Sequence, residues 1–280
     1  MIGPVLEEKH RRVLDLLRSL EGAVVAFSGG VDSTLLLRLA KDALGERCVA
    51  LTAVSASLPE RERKEARALA AAIGVEHLWL ESNEIERGDF ARNPTNRCYF
   101  CKSELFDLCF DAAARLALPV VLYGATADDA GDHRPGMAAA AERGARAPLL
   151  EAGLDKEAIR ALSRHLGLPT WNKPAMACLA SRFPYGTAID EEGLGRVEAA
   201  EEVLRAEGFR NLRVRFHDDV ARIELDREEW LRLTDPEIRD RVQAAIRRAG
   251  FRFVALDLEP FRSGRLNDAL VPSPDDPGLR

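Results

Sequence analysis

Ser28-Gly29-Gly30-Val31-Asp32-Ser33 follows the apolar run Ala23 to Phe27 and leads into Thr34-Leu35-Leu36-Leu37, so a glycine-rich turn is predicted to join a buried strand to a helix. That arrangement holds an anion. Gly29 and Gly30 let the main chain approach a ligand with no Cβ in the way, the first helical turn offers free N–H groups, and Ser28 and Ser33 add hydroxyls. A kinase-type phosphate loop needs Gly-x-x-x-x-Gly-Lys-Ser/Thr. No lysine stands in this stretch, so pyrophosphate is the expected anion. An ordinary Gly-Gly turn with a serine or aspartate helix cap is the competing reading.

The second set of reactive groups is the thiols. The five cysteines are Cys48, Cys98, Cys101, Cys109 and Cys178. The count is odd and no export signal precedes them, so reduced thiols, a metal or a cluster are expected ahead of disulfides. Cys98-Tyr99-Phe100-Cys101 follows the turn-forming stretch Asn93 to Arg97 and precedes a helix expected over Ser103 to Leu116. Two thiolates at this spacing can grip one metal, but no second C-x-x-C or close histidine pair completes a zinc set. Cys178 lies in a loop between Lys173 and Arg182, cations that favour the nucleophilic thiolate. It is the natural third ligand for a [4Fe–4S] cluster with one open iron position. Cys48 and Cys109, within a strand and a helix, read as core residues.

Asp32 and Asp129 are candidates to hold Mg²⁺ on a leaving pyrophosphate, with helix or turn capping as the alternative. Lys156 and Lys173 are candidates to offset phosphate charge, or surface lysines. Arg213 and Arg215 alternate on one strand and so share a face. With Arg134 and Arg182 they are candidate contacts for a substrate phosphate or carboxylate, against the reading of a charge-laced exposed strand. On the helix before them, Glu198 and Glu202 share a face beside Glu201, ordinarily a solvated one.

These residues need a frame. An amphipathic helix (Glu7 to Leu20) is followed by strands at Ala23 to Phe27, Cys48 to Val54, His77 to Glu81 and Val120 to Tyr123, alternating with helices at Ser33 to Leu44, Pro59 to Ile73 and Ser103 to Leu116. That alternation predicts an α/β fold with a doubly wound parallel sheet, in which ligands sit outside the carboxyl ends of the strands, where Ser28, Ser55 and Gly124 fall. Gly124 to Pro148 reads as a loop-rich insertion before a helix at Asp155 to Leu166. From Asp190 the pattern becomes helix Glu191 to Glu207, strands Asn211 to Phe216 and Ala221 to Asp226 around a His217-Asp218-Asp219 turn, helix Pro236 to Ala249 and strand Phe251 to Leu258. The expected division is an N-terminal helix (1–20), a nucleotide domain (21–189), a smaller α+β module (190–262) and a mobile tail (263–280).

The formal charge of −6 in 280 residues argues against a large nucleic-acid footprint, which needs a surplus of Lys and Arg. No apolar run is long enough to cross a bilayer and no basic-then-apolar leader opens the chain, so a soluble, cytoplasmic protein with no membrane partner is expected.

SGGVDS resembles the PP-loop of the ATP pyrophosphatases, which cleave ATP between the α- and β-phosphates. Together with NPTNRCYFCKSELF, GATADDAGDHRPGMAAA, WNKPAMACLASRFPYGT and LRVRFHDDVARIEL, it is similar to the LarE family of ATP-dependent sulfur transferases, over most of the chain. The resemblance implies ATP and Mg²⁺ as cofactors and pyridinium-3,5-biscarboxylic acid mononucleotide as substrate. A carboxylate is adenylated, pyrophosphate leaves, and a sulfur nucleophile displaces AMP, giving thiocarboxylates for the nickel-pincer nucleotide of lactate racemase. One style in that family sacrifices the sulfur of a single cysteine, which becomes dehydroalanine; the other holds a cluster on three cysteines. Cys98, Cys101 and Cys178 together resemble the second. The resemblance also implies a homo-oligomer and leaves room for a separate sulfide donor or nickel-insertion partner. Three other functions stay open on the residues: thiolation of a tRNA base, amide formation by a PP-loop ligase, and a nucleotide-binding module whose cysteines sense redox state.

Overall fold

The computed structural model describes residues 2–131, 135–174, 177–262 and 264–270. In chain order the elements are α1 (Pro4–Arg18), β1 (Ala23–Ala26), α2 (Val31–Leu44), β2 (Cys48–Val54), α3 (Glu60–Ile73), β3 (Glu76–Glu81), α4 (Gly88–Ala91), α5 (Arg97–Leu116), β4 (Val120–Leu122), α6 (Pro135–Glu142), α7 (Pro148–Glu151), α8 (Lys156–His165), α9 (Glu191–Ala206), β5 (Leu212–His217), β6 (Val220–Leu225), α10 (Pro236–Arg248) and β7 (Phe253–Leu256). They fall into two compact units, one of 1–84 and 96–176, the other of 85–95 and 177–280.

The first unit is built on a parallel sheet in the order β3-β2-β1-β4. β1 is buried along its whole length, and its period of two sends side chains into two cores. Ala23, Val25 and Phe27 join Val13 and Leu17 of α1, Leu35 and Leu39 of α2 and Ile159 and Leu162 of α8. Val24 and Ala26 join Phe106, Cys109 and Ala112 of α5 and Ala139 and Ala140 of α6. Helices therefore cover both faces, as the α/β reading required. The chain steps outward from β1 through β2 to β3 and then returns to the other side of β1 as β4. Strand order thus reverses between β1 and β4, the place where such sheets hold ligands.

Two local expectations are corrected. α5 starts at Arg97, well before Ser103, because Pro94 and the residues around it set the turn and nothing in Arg97 to Lys102 resists helix; the C-x-x-C lies on the first turns of that helix. The stretch Gly124 to Pro148 is not loop alone, since a 3₁₀ turn at Ala127–Gly131 and the alanine-rich α6 lie in it. Its Arg134 falls outside the described residues.

The second unit carries a three-stranded sheet, β5-β6-β7, with β5 and β6 antiparallel and β6 and β7 parallel. Asp218 and Asp219 form the two-residue hairpin loop, Asp218 at a φ of 52° that suits aspartate. The break between units comes at 176/177, ahead of the expected 189/190, and 85–95 belongs with the second unit. The reason is hydrogen bonding: Asn93 donates its side-chain amide to Phe183 O and Pro184 O, Gly186 N donates to Asn93 O and Ile189 N to Ala91 O. Of the expected tail, Arg265–Leu270 forms a 3₁₀ helix, and 271–280 lie outside the described residues.

Candidate active site

The glycine loop stands where β1 ends. Gly29 has a φ of +70°, and a Cβ there would lie 3.2 Å from that of Ala66 on α3, so only glycine fits. Ser28 and Ser33 hydroxyls meet at 3.1 Å, Ser33 Oγ also receives Ser28 N–H at 3.3 Å, and Ser28 Oγ receives Gly30 N–H at 3.4 Å. The two serines therefore close the loop into a ring. Gly30 is the N-cap of α2 with no side chain capping it, which leaves the first-turn amides without a side-chain acceptor.

Gly124, after β4, completes the cradle. A Cβ on it would sit 3.0 Å from Ser33 N and 3.2 Å from Asp32 C, both main-chain atoms that cannot swing away. Gly124→Ala should therefore part the two loops, lowering unfolding stability by about 1–3 kcal/mol and kcat/KM for ATP by roughly tenfold or more. Thermal melts and steady-state pyrophosphate release check this; an alanine variant matching the parent in both would contradict the packing.

Two lysines reach the loop from distant parts of the chain. Lys156 Nζ lies 2.5 Å from Asp32 Oδ2, and its own N–H is held by Asp128 Oδ2 at 2.6 Å. Lys173 Nζ donates to Gly29 O at 3.2 Å and pairs with Glu62 at 2.8 Å and Glu65 at 2.7 Å. Burial pushes the Glu65 carboxyl up, and Lys173 and Arg61 more than reverse that, holding it below its ordinary value. Arg160 of α8 fixes the segment by donating to Trp171 O and Lys173 O. The sequence reading missed Glu62 and Glu65, since Glu60-Arg61-Glu62-Arg63 looks like a solvated charge run. It also missed Glu84, which is buried at the carboxyl end of β2 and takes both the Ser55 and Ser57 hydroxyls on Oε1, at 2.6 and 2.5 Å.

Asp129, expected beside Mg²⁺, is buried with Oδ2 accepting from Thr126 N (2.9 Å) and Thr126 Oγ1 (3.1 Å). What it visibly does is hold the turn after β4. Asp32 is half-buried against Lys156.

In the second unit Arg182 and Arg215 are buried, and each is paired with a buried carboxylate. Arg182 grips Glu201 with Nε and Nη2 at 2.8 and 2.9 Å; Arg215 grips Glu224 at 3.0 and 2.8 Å. Both of these candidate anion contacts are thus paired with a carboxylate of the same unit. Arg213 on the same face is half-buried over Phe261. Desolvation, with Arg182, Arg215 and Arg205 nearby and Glu201 opposing them, lowers its pKa to about 10.

Of the three α9 glutamates singled out above, Glu201 is the buried one, and Glu198 and Glu202 lie outside that core. It also accepts from Arg205 at 2.9 Å and Val214 N at 3.2 Å. Burial pushes its carboxyl up, but Arg182 and Arg205 overcome this and bring it down to about 2, from an ordinary 4.5. A depressed carboxyl stabilises the fold above its unfolded value and loses that contribution as pH falls through the folded one. Urea stability of the second unit should therefore drop between about pH 4.5 and 2. Glu201→Gln should be destabilised at pH 7, by about 3–5 kcal/mol for an unpaired buried arginine, and should lose that acid slope; an unchanged slope would contradict the assignment.

Similarity to known proteins agrees with this geometry. A family model described as NAD synthase matches residues 11–99, which include the glycine loop and the first three strands. An uncharacterized protein of Synechocystis sp. is 44% identical over 267 residues, covering 95% of this chain and 100% of that protein. The pyridinium-3,5-bisthiocarboxylic acid mononucleotide synthase of Lactiplantibacillus plantarum is 40% identical over 268 residues, 95% of this chain and 96% of that one. The chain belongs to the LarE family. An uncharacterized protein of Methanocaldococcus jannaschii is 27% identical over 240 residues, 86% of this chain and 90% of that protein.

The five thiols divide by burial. Burial pushes Cys48 and Cys109 up to about 12, so both are inert core residues, as the sequence reading had them. Cys98 is exposed and Cys101 partly so, three residues apart on one face of α5. Cys178, partly exposed, belongs to the second unit and caps the 3₁₀ turn Leu179–Arg182. Among the described residues no three histidine, cysteine or acidic side chains are gathered as a metal set. The first unit by itself thus offers two of the three ligands that a cluster needs. No helix among the described residues is long and apolar enough to cross a membrane.

Proposed function

We propose that this chain is an ATP-dependent sulfur transferase that converts carboxylates of pyridinium-3,5-biscarboxylic acid mononucleotide to thiocarboxylates, a step toward the nickel-pincer cofactor. The observation that carries the reading is the preformed, uncapped glycine loop at the point where strand order reverses, in a chain 40% identical to a protein named for the bisthiocarboxylic product.

ATP is taken with its β- and γ-phosphates on the main-chain amides of the loop, and Lys156 and Lys173 offset charge on the departing pyrophosphate. Asp32 is the carboxylate to which we assign Mg²⁺, which binds through one or two carboxylates and phosphate oxygens. A substrate carboxylate oxygen attacks the α-phosphorus, the bond to the pyrophosphate oxygen breaks, and the acyl-adenylate forms. Arg213 is assigned to the substrate's phosphate or carboxylate. Sulfur then attacks the acyl carbon and AMP leaves.

For the sulfur we assign Cys178 in either of two ways, as a cluster ligand with Cys98 and Cys101 or as the donor itself. The cluster is favoured by the exposure and spacing of Cys98 and Cys101, which the single-donor route leaves without work. When bound, a three-cysteine [4Fe–4S] cluster supplies an open iron position for an exchangeable sulfur ligand. Anaerobic purification with iron and sulfide analysis tests this. Stoichiometric iron and sulfide lost in Cys98→Ala are expected. An iron-free protein that acts once and leaves Cys178 lighter by one hydrogen sulfide would overturn the cluster and keep the transferase.

A further inference from the structure

Cys178 lies at the edge of a four-residue 3₁₀ turn, an element too short to fix a reactive side chain by its own hydrogen bonds. Two buried guanidiniums hold it instead. Arg182 Nη1 donates to Ala177 O at 2.7 Å and to Cys178 O at 3.0 Å, while its other two nitrogens are locked on Glu201. Arg215 Nη1 donates to Ser181 O at 2.8 Å, with its remaining nitrogens locked on Glu224. The carbonyls on both sides of the thiol are thus tied to arginines whose orientation is set by carboxylates that are 1% and 0% exposed.

Energetics make stability an insufficient reason for this arrangement. Burying an ion pair costs about as much in desolvation as its attraction returns, so apolar residues would hold the fold as well. What apolar residues cannot do is reach the two carbonyls and fix their direction. Arginine's planar fork can bind a carboxylate along one edge and a carbonyl with the remaining nitrogen, and a lysine cannot do both at once.

We propose that Arg182 with Glu201, seconded by Arg215 with Glu224, are positioning residues that aim Cys178 for sulfur transfer. The inference rests on the role given to Cys178 above and holds whether that thiol is donor or ligand. It predicts a particular failure: the acyl-adenylate still forms, but misdirected sulfur lets water hydrolyse it, returning the carboxylate and releasing AMP.

The test is the ratio of thiocarboxylate formed to AMP released, in the full-length chain, for Arg182→Lys and for Glu201→Asp, which keeps the charge and withdraws the fork by one methylene. Both ratios should fall at least about tenfold, since a displacement near 1 Å can cost about 100-fold, with AMP release within about threefold of the parent. The rate of Cys178 alkylation by iodoacetamide, read by peptide mass in protein without ATP or substrate, should also change in both variants. A parental ratio with parental alkylation would overturn the proposal, as would product and AMP falling together while the melting curve is unchanged. Cys178→Ala separates the two levels. If it still makes thiocarboxylate, the role of Cys178 fails; if it is inactive and both variants keep the parental ratio, only the positioning fails.

Discussion

Cys178→Ala should reduce thiocarboxylate formation by about 1,000-fold or more, while AMP and pyrophosphate are still produced. A sulfur nucleophile splits the exchange of oxygen for sulfur into two steps, and removing it leaves water as the only competitor for the acyl-adenylate. A loss of that size is about 4 kcal/mol of barrier, more than misfolding of a partly exposed loop residue would impose on one half-reaction alone. Nucleotide chromatography with mass detection of the product checks it. Equal loss of AMP and thiocarboxylate would mean that Cys178 serves the fold or the adenylation.

Asp32→Asn should fall nearly as far, but at the other half-reaction. The substitution removes the charge that pairs Lys156 at 2.5 Å and the carboxylate assigned to Mg²⁺, at the first turn of α2. Pyrophosphate release at saturating Mg²⁺ should drop by at least about 100-fold, about 3 kcal/mol. Binding of free pyrophosphate without metal should instead tighten, because Lys156 is left uncompensated beside the loop amides. The opposite signs are the point: general damage to the loop would weaken both, and that result would contradict the roles given to Asp32 and Lys156.

The sequence was most legible where local chemistry decides structure. Each strand from Ala23 to Leu122 lies within a residue or so of its expected bounds, because apolar runs bounded by glycine, proline and polar turns leave few alternatives. The glycine loop was readable for the same reason: φ of +70° at Gly29 and the missing Cβ at Gly124 are demands that only glycine meets. The side chains around it were less legible. Lys173 stands far along the chain from Glu62 and Glu65, and no periodicity within ERERKEAR distinguishes carboxylates that face a part-buried lysine from those in water. Arg182 and Arg215 were recognised as special, but the carboxylates that hold them were not. A cation that binds an anion and a cation that braces a loop look alike in sequence, and only Glu201 and Glu224, brought in from α9 and β6, separate them. Helical spacing even pointed away from Glu201, toward Glu198 and Glu202, because i, i+4 counts neighbours on one face and says nothing of which face is buried.

The central claim is that this chain adenylates a carboxylate on the glycine loop and then exchanges its oxygen for sulfur. Its most direct test is incubation of the anaerobically purified protein with pyridinium-3,5-biscarboxylic acid mononucleotide, ATP, Mg²⁺ and sulfide, reading nucleotides and substrate by mass. The account predicts AMP and pyrophosphate in step with oxygen-to-sulfur exchange on the substrate carboxylates. ADP and phosphate as the products, or AMP release with no sulfur gained by that substrate, would contradict it.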